Sequence, residues 1–134
     1  MRQHLLLAAD AYLTGLSVTV LLVTYPGFSL VGAKEWATFH AHHSRAIGIA
    51  VGPAWALQGV LTFWWLLDGA HRTAAIVQAV FALLTVVTTL VGAVPAHEIL
   101  ANDRTPHALG RLRRWHGLRT ICWFGSLVAA FFAL

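Results

Sequence analysis

Apolar residues run along this chain in four long blocks, about Leu5–Thr24, Ala46–Leu67, Thr73–Val94 and Gly117–Leu134, separated by short polar stretches. Each block is near the ~20 residues that an α-helix needs to cross the hydrocarbon core of a bilayer. In lipid every backbone N–H and C=O must be satisfied within its own segment, which leaves helices as the answer. The connection Asp68-Gly69-Ala70-His71-Arg72 is so short that the second and third helices must be antiparallel neighbours. The predicted fold is all-α: an integral membrane antiparallel four-helix bundle, one transmembrane domain over 1–134. No internal repeat or low-complexity linker is visible.

The ends of the blocks extend two of these helices. Thr105-Pro106 is a strong start signal, with Thr105 as N-cap and Pro106 as the first helical residue. From there the fourth helix can run unbroken to Leu134. The second has no breaker between Ala33 and Pro53, so its start at Lys34–Arg45 is also expected to project beyond the bilayer. Pro53 should kink that helix, and Gly48 and Gly52 before it permit close helix contact.

Composition agrees with membrane residence. Hydrophobic residues make up 58% of the chain and charged ones 10%, against about 25% charged in a typical soluble domain. The net charge of +4 does not indicate nucleic acid, because Arg111, Arg113 and Arg114 flank an apolar block instead of forming a groove. Lys34, Arg45, Arg104, Arg111, Arg113, Arg114 and Arg119 fall in the two longer connections, with only Arg2 and Arg72 opposite. The positive-inside rule then places 26–45 and 95–119 in the cytoplasm and both termini outside. Trp36 and Trp115 read as an inner aromatic belt, Trp64-Trp65 as an outer one. The start Met1-Arg2-Gln3-His4 faintly resembles a signal peptide but lacks a small-residue cleavage site before Tyr25-Pro26, so a retained first span is expected. Cys122 is the only cysteine, so any metal must take nitrogen and oxygen ligands.

Six of the eight histidines lie in Phe39–Arg45 and Pro95–Arg119, which antiparallel topology brings to one end of the bundle. Trp36, His40, His43 and Ile47 make one helical stripe, and Leu112, His116, Arg119 and Trp123 another. Pro95 should disturb the last turn of the third helix and re-aim His97 and Glu98. Arg119 at the membrane boundary should face inward, toward Glu98 or an anionic substrate. His40, His43, His97 and His116 are therefore the candidate metal ligands. Glu98 is a ligand or general base, and Arg119 orients an anionic or carbonyl oxygen. A divalent metal, iron or zinc first and copper next, suits imidazole with carboxylate; haem is the alternative. His42 and His107 are badly phased, and His4 and His71 lie at the other face. Asp10 is expected to pair with Arg72 or a second copy, and Gln58 and Gln78 to bridge helices.

The motifs Tyr25-Pro26-x-Phe28, Phe39-His40-x-x-His43-x-x-x-Ile47, Val94-Pro95-x-His97-x-x-Leu100 and His116-x-x-Arg119-Thr120-x-x-Trp123 resemble those of small uncharacterised four-helix bacterial integral membrane proteins. In size and helix count the chain is more distantly similar to the anthrone-oxygenase-like membrane family. The resemblance implies that these residues belong together, in a bacterial inner membrane. The expected function is a metal-dependent oxidoreductase or oxygenase acting on a lipophilic small molecule from the bilayer. Two other classes stand beside it: a non-catalytic, haem- or pigment-binding subunit of a larger membrane complex or homo-oligomer, and a small transporter or proton-linked channel.

Overall fold

The computed structural model describes residues 1–133 as four helical rods, with no β-strand among them. They are α1 (Arg2–Leu30), α2 (Trp36–Asp68), α3 (Arg72–Asn102) and α4 (Pro106–Phe131). The main contacts close a ring, α1 on α2, α2 on α3, α3 on α4 and α4 back on α1. α1, α2 and α3 are each long and apolar enough to cross a membrane, and large apolar side chains such as Leu22, Val23, Ile49, Phe63, Leu83 and Ile121 are exposed on the bundle surface. That is the surface of a membrane protein. α4 falls short of the expected fourth span on composition, because Arg114, His116 and Arg119 interrupt its apolar run.

The predicted boundaries hold where a local signal sets them. The Thr105 hydroxyl accepts from the Ala108 N–H at 3.2 Å, and α4 then runs unbroken to Phe131. Gly69 ends α2 in the left-handed region at φ 69°, which only glycine adopts without cost. α2 begins at Trp36, inside the expected start, and continues through Pro53.

Pro26 and Pro95 do not end their helices. Each follows a π turn, Val20–Thr24 in α1 and Thr88–Ala93 in α3. A proline clashes with the carbonyl four residues back, Leu22 or Val91 here, and both lie in the widened turns. Thr19, Thr88 and Thr89 return side-chain hydrogen bonds to carbonyls of the preceding turn. α3 therefore continues to Asn102, where the sequence predicted a disturbed last turn. The wide turn also brings Gly92 against the Trp115 ring, where a Cβ would overlap it.

The core is layered along the bundle axis. At the end holding the histidines, Tyr25, Phe28, Trp36, Leu100, Ala108 and Leu112 form an apolar plug. At the hairpin end, beside the Gly69 turn, Leu6, Trp65, Ala75 and Ala130 form another. Between the plugs polar side chains are buried among apolar ones: Asp10, Ser17, Gln58, Gln78 and Ser126 beside Leu13 and Trp123.

Candidate functional site

The site is built on one hydrogen-bonded chain that crosses all four helices. His40 Nε2 of α2 lies 3.2 Å from His97 Nδ1 of α3. His97 Nε2 meets the Tyr25 hydroxyl of α1 at 3.2 Å, and that hydroxyl meets His116 Nδ1 of α4 at 3.1 Å. His116 Nε2 then reaches the Ser17 carbonyl at 2.9 Å, and the Ser17 hydroxyl contacts Thr120 at 2.7 Å. The guanidinium of Arg119 donates to His116 Nδ1 at 2.8 Å and to the Thr89 hydroxyl at 3.3 Å, with its Cζ 5.0 Å from the Trp123 ring centroid.

Donor and acceptor logic fixes part of this chain. A carbonyl oxygen only accepts, so His116 must carry its proton on Nε2. Its Nδ1 is then an acceptor, which suits Arg119, a group that only donates. Tyr25, His97 and His40 are free to polarise in either direction. With Tyr25 donating to His116, His97 Nε2–H donates to Tyr25 and His40 Nε2–H donates to His97. With Tyr25 donating to His97 instead, the His97–Tyr25 and His40–His97 bonds reverse, and the Tyr25 oxygen faces His116 Nδ1 with no proton between them. The first arrangement alone satisfies every contact of the chain, and passing between the two takes proton transfer along it.

Aromatic rings close the site toward the histidine end. Phe28 packs edge-on against Trp36, Phe39 and His43, at centroid distances of 5.4, 5.7 and 4.9 Å. Arg104 locks that cover, donating to the Phe28 carbonyl at 2.7 Å and lying 4.8 Å from the Trp36 ring centroid. Access is sideways. A cavity of about 530 Å³ opens between α2 and α3, with Tyr25, His40, His97, Glu98 and Arg119 on its polar wall and Ile47, Gly48, Gly52 and Trp55 opposite. It shares Gly52 and Trp55 with a more open apolar groove of about 630 Å³ that follows Ala56, Gly59, Ala79 and Ala82 toward the hairpin end. The groove exists because α2 stands off from the bundle: only 11% of its apolar window is buried, against 39% for α1.

The six residues singled out from the sequence fall into three positions. His40, His97, His116 and Arg119 belong to the hydrogen-bonded network. His43 stacks beside His97 at a centroid distance of 6.1 Å, with its buried Nε2 unpartnered. Glu98 is exposed on the cavity rim, and among the described residues the one ion pair, Arg2 with Asp68, does not involve it. Arg119 thus meets His116 and Thr89, not Glu98. His4, His42, His71 and His107 are exposed, as their phasing predicts. Asp10 pairs with Gln58 and Gln78, not with Arg72.

The four imidazoles do not form one metal-binding set. Both nitrogens of His116 are engaged, and a guanidinium stands where a cation would have to sit. Among the described residues no group of three or more His, Cys, Asp or Glu side chains is arranged to hold a metal ion. The closest approach to one is the His40–His97 pair with His43 beside it. Sequence reasoning missed Tyr25 as the centre of the network, together with Ser17, Thr89 and Thr120. Tyr25 directly precedes a motif proline, Pro26, a usable signal; Ser17 sits in an apolar block with nothing local to mark it.

Comparison with protein-family models, curated proteins and solved structures gives no match.

Proposed function

We propose that this chain is a membrane-embedded oxidoreductase or oxygenase for a lipophilic, oxygen-bearing small molecule that enters from the bilayer between α2 and α3. The carrying observation is a cavity and an adjoining groove that share Gly52 and Trp55, the first with polar groups at the histidine end and the second apolar along its length. Such a shape suits a polar head on a hydrocarbon tail. Arg119 lines the cavity and its buried Nε has no partner, so it has a donor to spare for a carbonyl or anionic oxygen. His97, tied through Tyr25 to His116, would supply or remove the proton at that oxygen when a separate two-electron carrier reduces or oxidises the carbon that bears it. Glu98 on the rim is the general base toward water. In this reading the histidine end faces the cytoplasm of a bacterial inner membrane.

One observation favours a metal at a smaller ligand set. Two nitrogens bound at ~2.0–2.1 Å to one tetrahedral ion lie roughly 3.3 Å apart, and His40 and His97 present theirs at 3.2 Å, with the unpartnered His43 Nε2 nearby. Iron or zinc would there polarise the substrate oxygen as a Lewis acid. Photolabelling with a diazirine-bearing fatty acid in vesicles, with metal content measured on the same sample, tests both parts. Labelling of α2 and α3 around Gly52 is expected. Metal lost in His43→Ala and kept in His116→Ala would support the smaller set; no labelling in the groove would overturn the substrate reading.

A further inference from the structure

A second polar site lies deeper, toward the hairpin end, and takes no part in the network around Tyr25. Asp10 is fully buried in α1. Its partners are neutral: Gln58 of α2 at 2.6 Å, and Gln78 of α3 at 3.1 Å, which also lies 3.4 Å from Thr62. No cation is paired with it; the Arg2–Asp68 ion pair sits on exposed side chains. The buried titratable groups of α4 are Cys122, His116 and Arg119, of which the last two are engaged with Ser17, Tyr25 and Thr89. A bare carboxylate in such a place is costly, so the group must bind something positive.

The partners are suited to a proton. As drawn, Gln58 and Gln78 each donate an amide N–H to the carboxylate, which satisfies its charged form. The two ends of a glutamine amide are interchangeable by rotation. With Gln58 turned over, its Oε1 becomes the acceptor for a carboxylic acid O–H, and 2.6 Å is a usual O–H···O length but short for N–H···O. Each protonation state therefore has a hydrogen-bond arrangement available. The buried Oε1 atoms of both glutamines and the hydroxyls of Thr14 and Ser126 have no partner, which leaves capacity for that exchange.

We propose that Asp10 is a reversible proton-binding site, loaded and unloaded from the hairpin end of the bundle. On that side, a cleft of about 210 Å³ lined by His4, Leu6, Trp65 and Asp68 reaches to one helical turn from Asp10. Loading forms one O–H bond at the carboxylate as the donating water loses one, and no electron moves. The site needs no substrate at the cavity, so it stands or falls apart from the enzymatic reading.

Infrared spectra would be recorded on the full chain reconstituted in phosphatidylcholine–phosphatidylglycerol vesicles as the bulk pH is varied. A neutral carboxylic acid carbonyl band is expected that gives way reversibly to a carboxylate band, absent in Asp10→Asn, restored in Asp10→Glu and unaffected by sodium. A carboxylate band alone at every pH, an acid band that never titrates, or loss of the acid band on adding sodium overturns the proton site.

Discussion

Tyr25 is the side chain on which the imidazole network depends, because its single hydroxyl faces both His97 and His116. Removing it leaves His97 Nε2 without a partner, at about 1–3 kcal/mol for a buried group left unsatisfied, while His116 Nδ1 keeps Arg119. Tyr25→Phe should therefore lower the thermal midpoint in detergent while keeping the helical circular dichroism of the parent. The same geometry sets a spectroscopic expectation. With ¹⁵N-labelled histidine, His116 should report the Nε2–H tautomer in both the parent and Tyr25→Phe, since the Ser17 carbonyl imposes it. His97 should report mainly the Nε2–H tautomer in the parent and change in the variant. A His116 tautomer with the proton on Nδ1 would contradict the network. The histidines at 40, 97 and 116 were legible as a group from two stripes and a helix end, yet what joins them was not, because a tyrosine at the edge of an apolar block reads first as packing.

Each long element is shaped by how it accommodates a local conflict. α1 and α3 keep their prolines by widening the preceding turn, which carries the first helix on to Leu30 and the third to Asn102. The stripes of α2 and α4 share the spacing four, three, four, Trp36-His40-His43-Ile47 and Leu112-His116-Arg119-Trp123. Sequence periodicity located both stripes. The π turns were not legible, because a proline in an apolar run is read by its usual consequence, a break. Two glycines carry testable weight. Gly92→Ala must displace the Trp115 ring and should cost about 1–3 kcal/mol as overpacking between α3 and α4. Gly69→Ala keeps open space but forces a left-handed alanine, at roughly 1–2 kcal/mol. Chemical or thermal unfolding in a single detergent would rank them, and equal stability of parent and Gly92→Ala would refute the close helix contact.

For the bundle taken together, the decisive feature is that polar side chains are concentrated in the buried middle, among Leu13 and Trp123, while the plugs at both ends and much of the outer surface are apolar. A set of helices with this arrangement is stabilised by interhelical hydrogen bonds and close packing more than by apolar burial, since lipid tails are as apolar as leucine. The open side between α2 and α3 follows from the small residues Gly48, Gly52, Ala56 and Gly59 facing that gap. A Cβ added at Gly52 meets nothing within 4 Å, and the residue lines the open groove. Gly52→Leu should therefore change stability by less than about 0.5 kcal/mol and still reduce fatty-acid photolabelling of the groove by roughly tenfold. A variant that labels like the parent would show that the groove is not the way in. The four-helix plan, the antiparallel order, the capped start of α4 and the meeting of the histidine-bearing segments at one end were all written in the sequence. They follow from block length, short connections and residue spacing, which act locally. The three-dimensional packing alone set the partners: Arg119 on His116 instead of Glu98, Asp10 between two glutamines instead of beside Arg72, and Tyr25 at the centre. Those pairings depend on the rotation and axial offset of one helix against another, and these arise from side chains on all four helices at once.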